Sequence, residues 1–305
     1  MTRFVLGGGG AMGAFQAGAL LGLLERGVVP DALYGCSAGA LNAAFLAARP
    51  DASRARELAS WWSDGRHTSV LAPTWRSHLR GLPSVLRDRR GVLDSAPLRR
   101  LVAANVAAHD LSELAVPLSV TTTCLDCMQA RHHTRGPIVD ALVASCALPG
   151  IFSPVRLPDG HEHVDGGVVA GVPVAAALDD SGPDDTVVVL DCGLAPVTCT
   201  RPGDQTPCNI GDVGRGDYLA PGDSGPGALE VVLRAFTVAR AVANRATVGG
   251  TVADPRVVVV PHIGDAWSAG LLAEVPRGPR DFTQSAALIE AGRLAAQLGL
   301  SSGVR

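Results

Sequence analysis

The pentapeptide Gly35-Cys36-Ser37-Ala38-Gly39 stands between the apolar run Ala32 to Gly35, which reads as a strand, and an apolar helical stretch ending near Arg49-Pro50. A serine in that setting sits on a strained turn that lifts its hydroxyl clear of the backbone, and glycines on both sides let the chain pass closely. The N–H groups and dipole of the following helix then lie near any oxyanion formed at the serine. Glycine and serine are also ordinary turn residues, so the pattern gains meaning only from what accompanies it.

Upstream, Gly7-Gly8-Gly9-Gly10-Ala11-Met12-Gly13 follows a first apolar strand, Arg3 to Leu6, and opens a helix over about Met12 to Glu25. Bare backbone N–H groups there suit either a dinucleotide phosphate or an oxyanion. A dinucleotide fold needs an acidic residue ending the second strand to hold a ribose. Here that strand ends in Cys36-Ser37, and Asp31 precedes it, on the wrong side of the sheet. The dinucleotide reading is the weaker of the two.

A nucleophilic serine needs a base. In α/β-hydrolases the serine follows several strands, and an acid and then a histidine come after it; here it follows one strand and one helix. Among the eight histidines (67, 78, 109, 132, 133, 161, 163 and 262), His262 after the run Val257 to Pro261 is the best placed, yet it reads more simply as a surface residue at a strand end. The alternative is Asp165, in His163-Val164-Asp165-Gly166-Gly167-Val168-Val169. An aspartate before two glycines has the backbone freedom to turn its carboxylate into a site, although Asp-Gly is equally a routine hairpin turn.

Taken together, the loop Gly8 to Gly13, the elbow Gly35 to Gly39 and the triplet Asp165-Gly166-Gly167 resemble the patatin-like phospholipase family. The run Ala144 to Phe152 and the pair Val172-Pro173 look like that family too, and the resemblance covers roughly residues 3 to 180. It implies a mostly parallel central sheet sandwiched by helices, and a Ser–Asp dyad with no histidine, cofactor or metal. Ser37 would attack an acyl carbonyl, Asp165 would take its proton, and N–H groups of Gly8, Gly9, Gly10, Ala11, Met12 and Gly13 would hold the oxyanion. The implied substrates are phospholipids, lysophospholipids or other acyl esters, cleaved by hydrolysis or passed to another acceptor. The implied rival is a binding or regulatory protein that kept the fold without turnover. Many members carry Arg or Lys in the glycine loop where this chain has Met12, so charge at that point is absent or supplied from elsewhere.

The elements that must position these residues form an α/β pattern. Further strands are expected at Pro117 to Cys124, Thr186 to Asp191 and Arg256 to Pro261, and helices at Asp140 to Leu148, Ala228 to Val248 and Asp281 to Leu298, the last opened by Asp281 as cap. Residues 51 to 100 hold three of the four Trp among ten Arg and five acidic residues. That texture reads either as a solvated helical cap or as a contact with a lipid surface. Residues 198 to 227, rich in Gly, Pro and Asp, read as a mobile loop or inserted lid. No clean linker interrupts the chain, so one hydrolase domain over 1 to 305 is expected.

Composition sets outer bounds. With 305 residues, 47% hydrophobic and 18% charged, the chain can bury a large core. A net charge of −3 gives no long-range pull on nucleic acid. Seven cysteines, an odd number, suit free thiols and a cytoplasmic setting, with peripheral membrane contact through 51 to 100 as the open alternative. Phe4 to Leu24 has the length of a membrane span, but four consecutive glycines would each cost a helix about 1 kcal/mol, so strand, loop and helix fit it better. Cys124-x-x-Cys127 lacks a second pair at ligand spacing and Asp179 to Asp185 lacks the alternating ligands of a calcium loop, so metal is not expected. Oligomeric state is not legible.

Overall fold

The computed structural model describes residues 1–65, 91, 93–106, 108–191, 228–272 and 282–302. Strand β1 (Thr2–Leu6) leads through a 3-10 turn at Gly10–Met12 into helix α1 (Gly13–Glu25). The unit repeats as β2 (Ala32–Cys36) and α2 (Ala38–Ala47), followed by α3 (Ala52–Ser63) and α4 (Ala96–Asn105). Next come β3 (Leu118–Cys124), β4 (Gln129–His133), α5 (Ile138–Ser145), β5 (Val155–Arg156) and β6 (Glu162–Asp165). The remaining elements are α6 (Val174–Asp179), β7 (Thr186–Leu190), α7 (Ala228–Thr251), β8 (Val257–Val259), α8 (Ile263–Ser268) and α9 (Ser285–Ser302).

The strands form one sheet in the order β5-β6-β3-β2-β1-β7-β8, with β4 paired to β3 off this path. The central pairs β3-β2, β2-β1, β1-β7 and β7-β8 are parallel, and helices cover both faces. That is why β1, β2 and β7 are near-continuous apolar runs: a parallel strand is buried on both sides. On one face Phe4, Leu33 and Val188 pack under α1, α2, α3, α5 and α9; on the other Val5, Tyr34, Val187 and Val189 pack under α6. Helix α1 is apolar all round because it is sandwiched, its first twelve residues being buried. Its outer side meets α9 at backbone contact: a Cβ on Gly18 would lie 1.9 Å from Ile289 O. Helix α3, by contrast, buries only Ala55, Leu58, Ala59 and Trp62, a single stripe at helical spacing, and Asp51 caps it by accepting from Arg54 N at 2.7 Å.

The expected strands and helices are all present, with ends moved by a few residues. The segment Phe4 to Leu24 is strand, 3-10 turn and helix, and no helix among the described residues is long and apolar enough to cross a membrane. Two antiparallel hairpins, β3–β4 and β5–β6, were not anticipated. β4 reads Gln-Ala-Arg-His-His and is mostly exposed, so it carries no alternating pattern to betray it. Of the expected cap, α3 and α4 are described; residues 66–90, the loop at 198–227 and Asp281 lie outside the described residues.

Candidate active site

Strand β3 brings the two distant turns together. Along it, Thr121 registers with Cys36 of β2 and with His132 of β4, while Thr122 registers with Arg131 of β4 and with Asp165 of β6. Since β4 occupies one edge throughout, β2 and β6 must share the other, β2 ending where β6, running the opposite way, also ends. The chain ends of both strands, Cys36 leading to Ser37 and Asp165 leading to Gly166, therefore abut in the middle of the sheet.

Ser37 has φ 54° and ψ −124°, one of two non-glycine residues with positive φ among those described. Such a conformation is costly for an L-residue and survives only when the surroundings impose it. They do: Ser37 N donates to Ser145 Oγ at 2.8 Å, which donates in turn to Thr121 O at 2.7 Å, and Leu41 N donates to Ser37 O at 3.1 Å. The flanking glycines are steric requirements. A Cβ on Gly39 would lie 2.2 Å from Leu6 O, and one on Gly35 would lie 2.6 Å from Ala40 Cα. Cys36 and Ala38 are buried beside them.

Asp165 is fully buried and is not part of a hairpin turn; it caps a 3-10 turn over Gly166–Val168. Its Oδ1 accepts from Gly167 N at 2.7 Å, with the Cys36 thiol at 3.9 Å. Its Oδ2 is buried with no hydrogen-bond partner among the described residues. Burial pushes its pKa up, opposed by the charge of Arg240, by the nearby Ser37 side chain and by Gly167 N–H. No hydrogen bond joins Ser37 Oγ to Oδ2 among the described residues. Burial and the Asp165 charge also push the neighbouring Cys146 thiol up.

In the glycine loop, Gly8 N–H is committed to Gly171 O at 2.9 Å, Met12 N–H to Gly9 O at 3.3 Å, and Gly13 N–H to carbonyls of its own turn. The N–H groups of Gly9 and Gly10 make no hydrogen bond among the described residues. The six-residue expectation therefore narrows, in this conformation, to the peptide units after Gly8 and short of Met12. The family model for patatin-like phospholipases matches residues 4–178, which include the loop, the elbow and the Asp-Gly-Gly turn.

The chain belongs to the patatin-like phospholipase family. It is 28% identical over 190 residues to patatin-like phospholipase domain-containing protein 7 of Mus musculus, a match covering 62% of this chain and 13% of the mouse protein. It is 31% identical over 175 residues to an NTE family protein of Mycobacterium tuberculosis, covering 57% of this chain and 44% of that one. Among solved structures, VipD from Legionella pneumophila superposes with a TM-score of 0.49 at 14% identity, covering 99% of this chain and 66% of that chain.

Against the pattern of patatin-like proteins, Met12 is the departure, and its side chain is buried in the core. Positive charge arrives instead from Arg240 of α7, a residue sequence reasoning missed. A Cβ on Gly8 would lie 3.1 Å from Ser37 Cβ and 3.6 Å from Arg240 Nη1; a Cβ on Gly167 would lie 2.9 Å from both Arg240 Cδ and Asp165 Oδ1. The Arg240 side chain therefore spans the gap, its aliphatic stem against the Asp-Gly-Gly turn and its guanidinium toward the glycine loop. One helical turn on, Asn244 presses against Gly171 and buries an Nδ2 that has no partner among the described residues. Helix α7 is inverted: Arg240 and Asn244 are 9% and 3% exposed, whereas Val238 and Val242 are 62% and 58% exposed. Hydrophobic periodicity would turn the valines inward, and so it conceals the face that meets the site.

No histidine hydrogen-bonds to Ser37 or Asp165 among the described residues. His262 faces Asp265 at the start of α8, its Nδ1 accepting from Asp265 N at 3.2 Å. His163, two residues before Asp165, is spent on Thr122 Oγ1 at 2.8 Å and Asp159 Oδ2 at 3.0 Å. Asp31 accepts from Thr2 N at 2.6 Å at the opposite end of the sheet from Ser37, so a dinucleotide has no ribose partner there.

Proposed function

We propose that this chain is a lipid acyl-ester hydrolase of phospholipase or lysophospholipase type, with Ser37 as nucleophile and Asp165 as its base. The observation that carries the reading is the pairing of a positive-φ serine with a fully buried aspartate whose second oxygen has no partner among the described residues. Ser37 Oγ bonds to the acyl carbon as its proton passes to Asp165; the alcohol leaves with that proton, and water, deprotonated by Asp165, frees the fatty acid and restores Ser37. N–H groups of Gly9 and Gly10 hold the oxyanion, and Arg240 adds a charge beside it. A small apolar cleft lined by Leu41, Phe45, Leu58, Trp61, Leu101 and Val106 lies one turn along α2 from Ser37. The names of the relatives, phospholipase domain protein and NTE family protein, point the same way.

The test is a fluorophosphonate probe together with fatty acid release from a panel of phospholipids and lysophospholipids. Labelling and release by the native chain, both lost in Ser37→Ala, are the expected result. A native chain that neither labels nor releases fatty acid is a binding protein on this fold.

A further inference from the structure

The two unexpected hairpins turn toward each other at the far end of β3 and β6. Cys124 closes β3 and Cys127 lies in the β3–β4 turn; His161 lies in the β5–β6 turn, 34 residues beyond Cys127 in the chain. The two turns are held in register by Leu125 N donating to Glu162 O at 2.9 Å and Glu162 N donating to Asp126 Oδ2 at 2.8 Å. One ligand atom each from Cys124, Cys127 and His161 then falls within 4.8 Å of the others. All three are absent from the proposed chemistry at Ser37, and both cysteines are free thiols.

We propose that Cys124, Cys127 and His161 bind a zinc ion that clasps the β3–β4 turn to the β5–β6 turn. Two sulfurs and an imidazole nitrogen are the donors this borderline-soft ion takes, and a Cys-x-x-Cys turn is its usual half-site. Zinc bonds of about 2.3 Å to sulfur and about 2.0 Å to nitrogen place tetrahedral ligands roughly 3.7 Å apart, so closing on an ion asks for a movement of about 1 Å, within the reach of side-chain rotation. The turn is shaped for it. Met128 holds φ 55°, which bends the chain back directly after Cys127. Cys127 N donates to Cys124 Sγ at 3.2 Å, and Arg131 Nη2 donates to Cys127 Sγ at 3.2 Å, which fixes the direction of both sulfurs.

His161 is prepared in the same way. Its Nδ1 is 3.3 Å from Asp126 Oδ2, which leaves Nε2 to ligate and gives the ring the carboxylate partner that metal-bound imidazoles ordinarily have. Three protein ligands leave the fourth place to water. Neither hairpin holds the set alone, which is why the cysteine pair looked incomplete in the sequence.

The test is zinc content. The 305-residue chain is stripped with a chelator under reducing conditions, incubated with Zn2+, desalted and analysed by elemental mass spectrometry, with Co2+ as a spectroscopic substitute. About one zinc per chain is expected for the native protein, and less than about a tenth of that for Cys127→Ser and for His161→Ala. Both residues lie at the surface, so the variants should fold; native-like circular dichroism spectra would verify this. The cobalt form should show a thiolate-to-metal charge-transfer band that Cys127→Ser removes. His109→Ala, remote from the turn, should retain the ion. Failure of the native chain to take up zinc, or equal uptake by native and both variants, overturns the proposal. So does a Cys124–Cys127 disulfide in protein purified without reductant, if reduction restores the thiols but no metal uptake.

Discussion

Trp62 donates its indole N–H to Asn42 Oδ1 at 2.8 Å, joining α3 to α2 inside the core. Asn42 Nδ2 passes the connection on to Gly13 O at 3.0 Å and Gln16 Oε1 at 2.9 Å, and Gln16 Nε2 donates to Leu190 O at 2.9 Å. A buried polar chain thus runs beneath the glycine loop, from the cap helix to the strand beside β1. Replacing Asn42 by Leu removes the acceptor of the Trp62 indole N–H and the donor to Gln16 Oε1. A loss of about 2–4 kcal/mol is expected in urea denaturation, with an unchanged m-value.

Gly39 and Gly27 separate two costs of adding a methyl group. At Gly39 the new Cβ meets the Leu6 carbonyl, which the sheet holds fixed, so Gly39→Ala should lose more than about 4 kcal/mol or fail to fold. At Gly27, φ is 77° with nothing within 4 Å, and Gly27→Ala should cost about 1–2 kcal/mol in the same measurement.

Asp165 predicts opposite effects on activity and stability. Its folded pKa is raised, so the stabilisation from binding its proton is present at acid pH and is lost as pH climbs through the folded value; at neutral pH the buried charge is a cost. Asp165→Asn should therefore melt at the same or a higher temperature than the native chain at pH 7, with the gap closing toward pH 4. Its kcat/KM should fall by about 10³-fold or more. In the native chain, kcat/KM should fall on the acid side with an apparent pKa above the ordinary aspartate value of about 3.9. An acid limb at or below that value would remove Asp165 as the base.

Arg240 lowers the Asp165 pKa while standing beside Gly8, so its loss should act on both. Arg240→Met is expected to cut kcat/KM about 10- to 100-fold and move the acid limb to higher pH, with Arg240→Lys restoring part of each. A slower rate with the acid limb unmoved would confine Arg240 to a packing role.

The sequence carried the fold where one local rule dominates. β1, β2 and β7 are apolar on both faces because both are covered, and the two strand-turn-helix units follow from that pattern and their glycines. The Ser37 elbow was legible because its constraint is local: the glycines at 35 and 39 are needed by atoms a few residues away or in the adjacent strand. The same rule failed for β4, whose exposed polar residues have no period, and for α7, whose charged face is the buried one. The resemblance implied an oxyanion role for the Gly8 N–H, and only the fold reveals that this group donates to Gly171 O. His161 stayed hidden because its partners lie on another hairpin.

Because β2 and β6 end against one another on a single edge of β3, the hydroxyl and the carboxyl belong to segments that leave the ribosome far apart in time. At about 5–20 residues per second, the roughly 130 residues from Ser37 to Asp165 take on the order of ten seconds to synthesise, and β7, the partner β1 needs, follows later still. A nascent chain at that stage has Ser37 without the Asp165 turn that the fold sets beside it, so under the proposed hydrolase reading the site is assembled only after translation has passed β7.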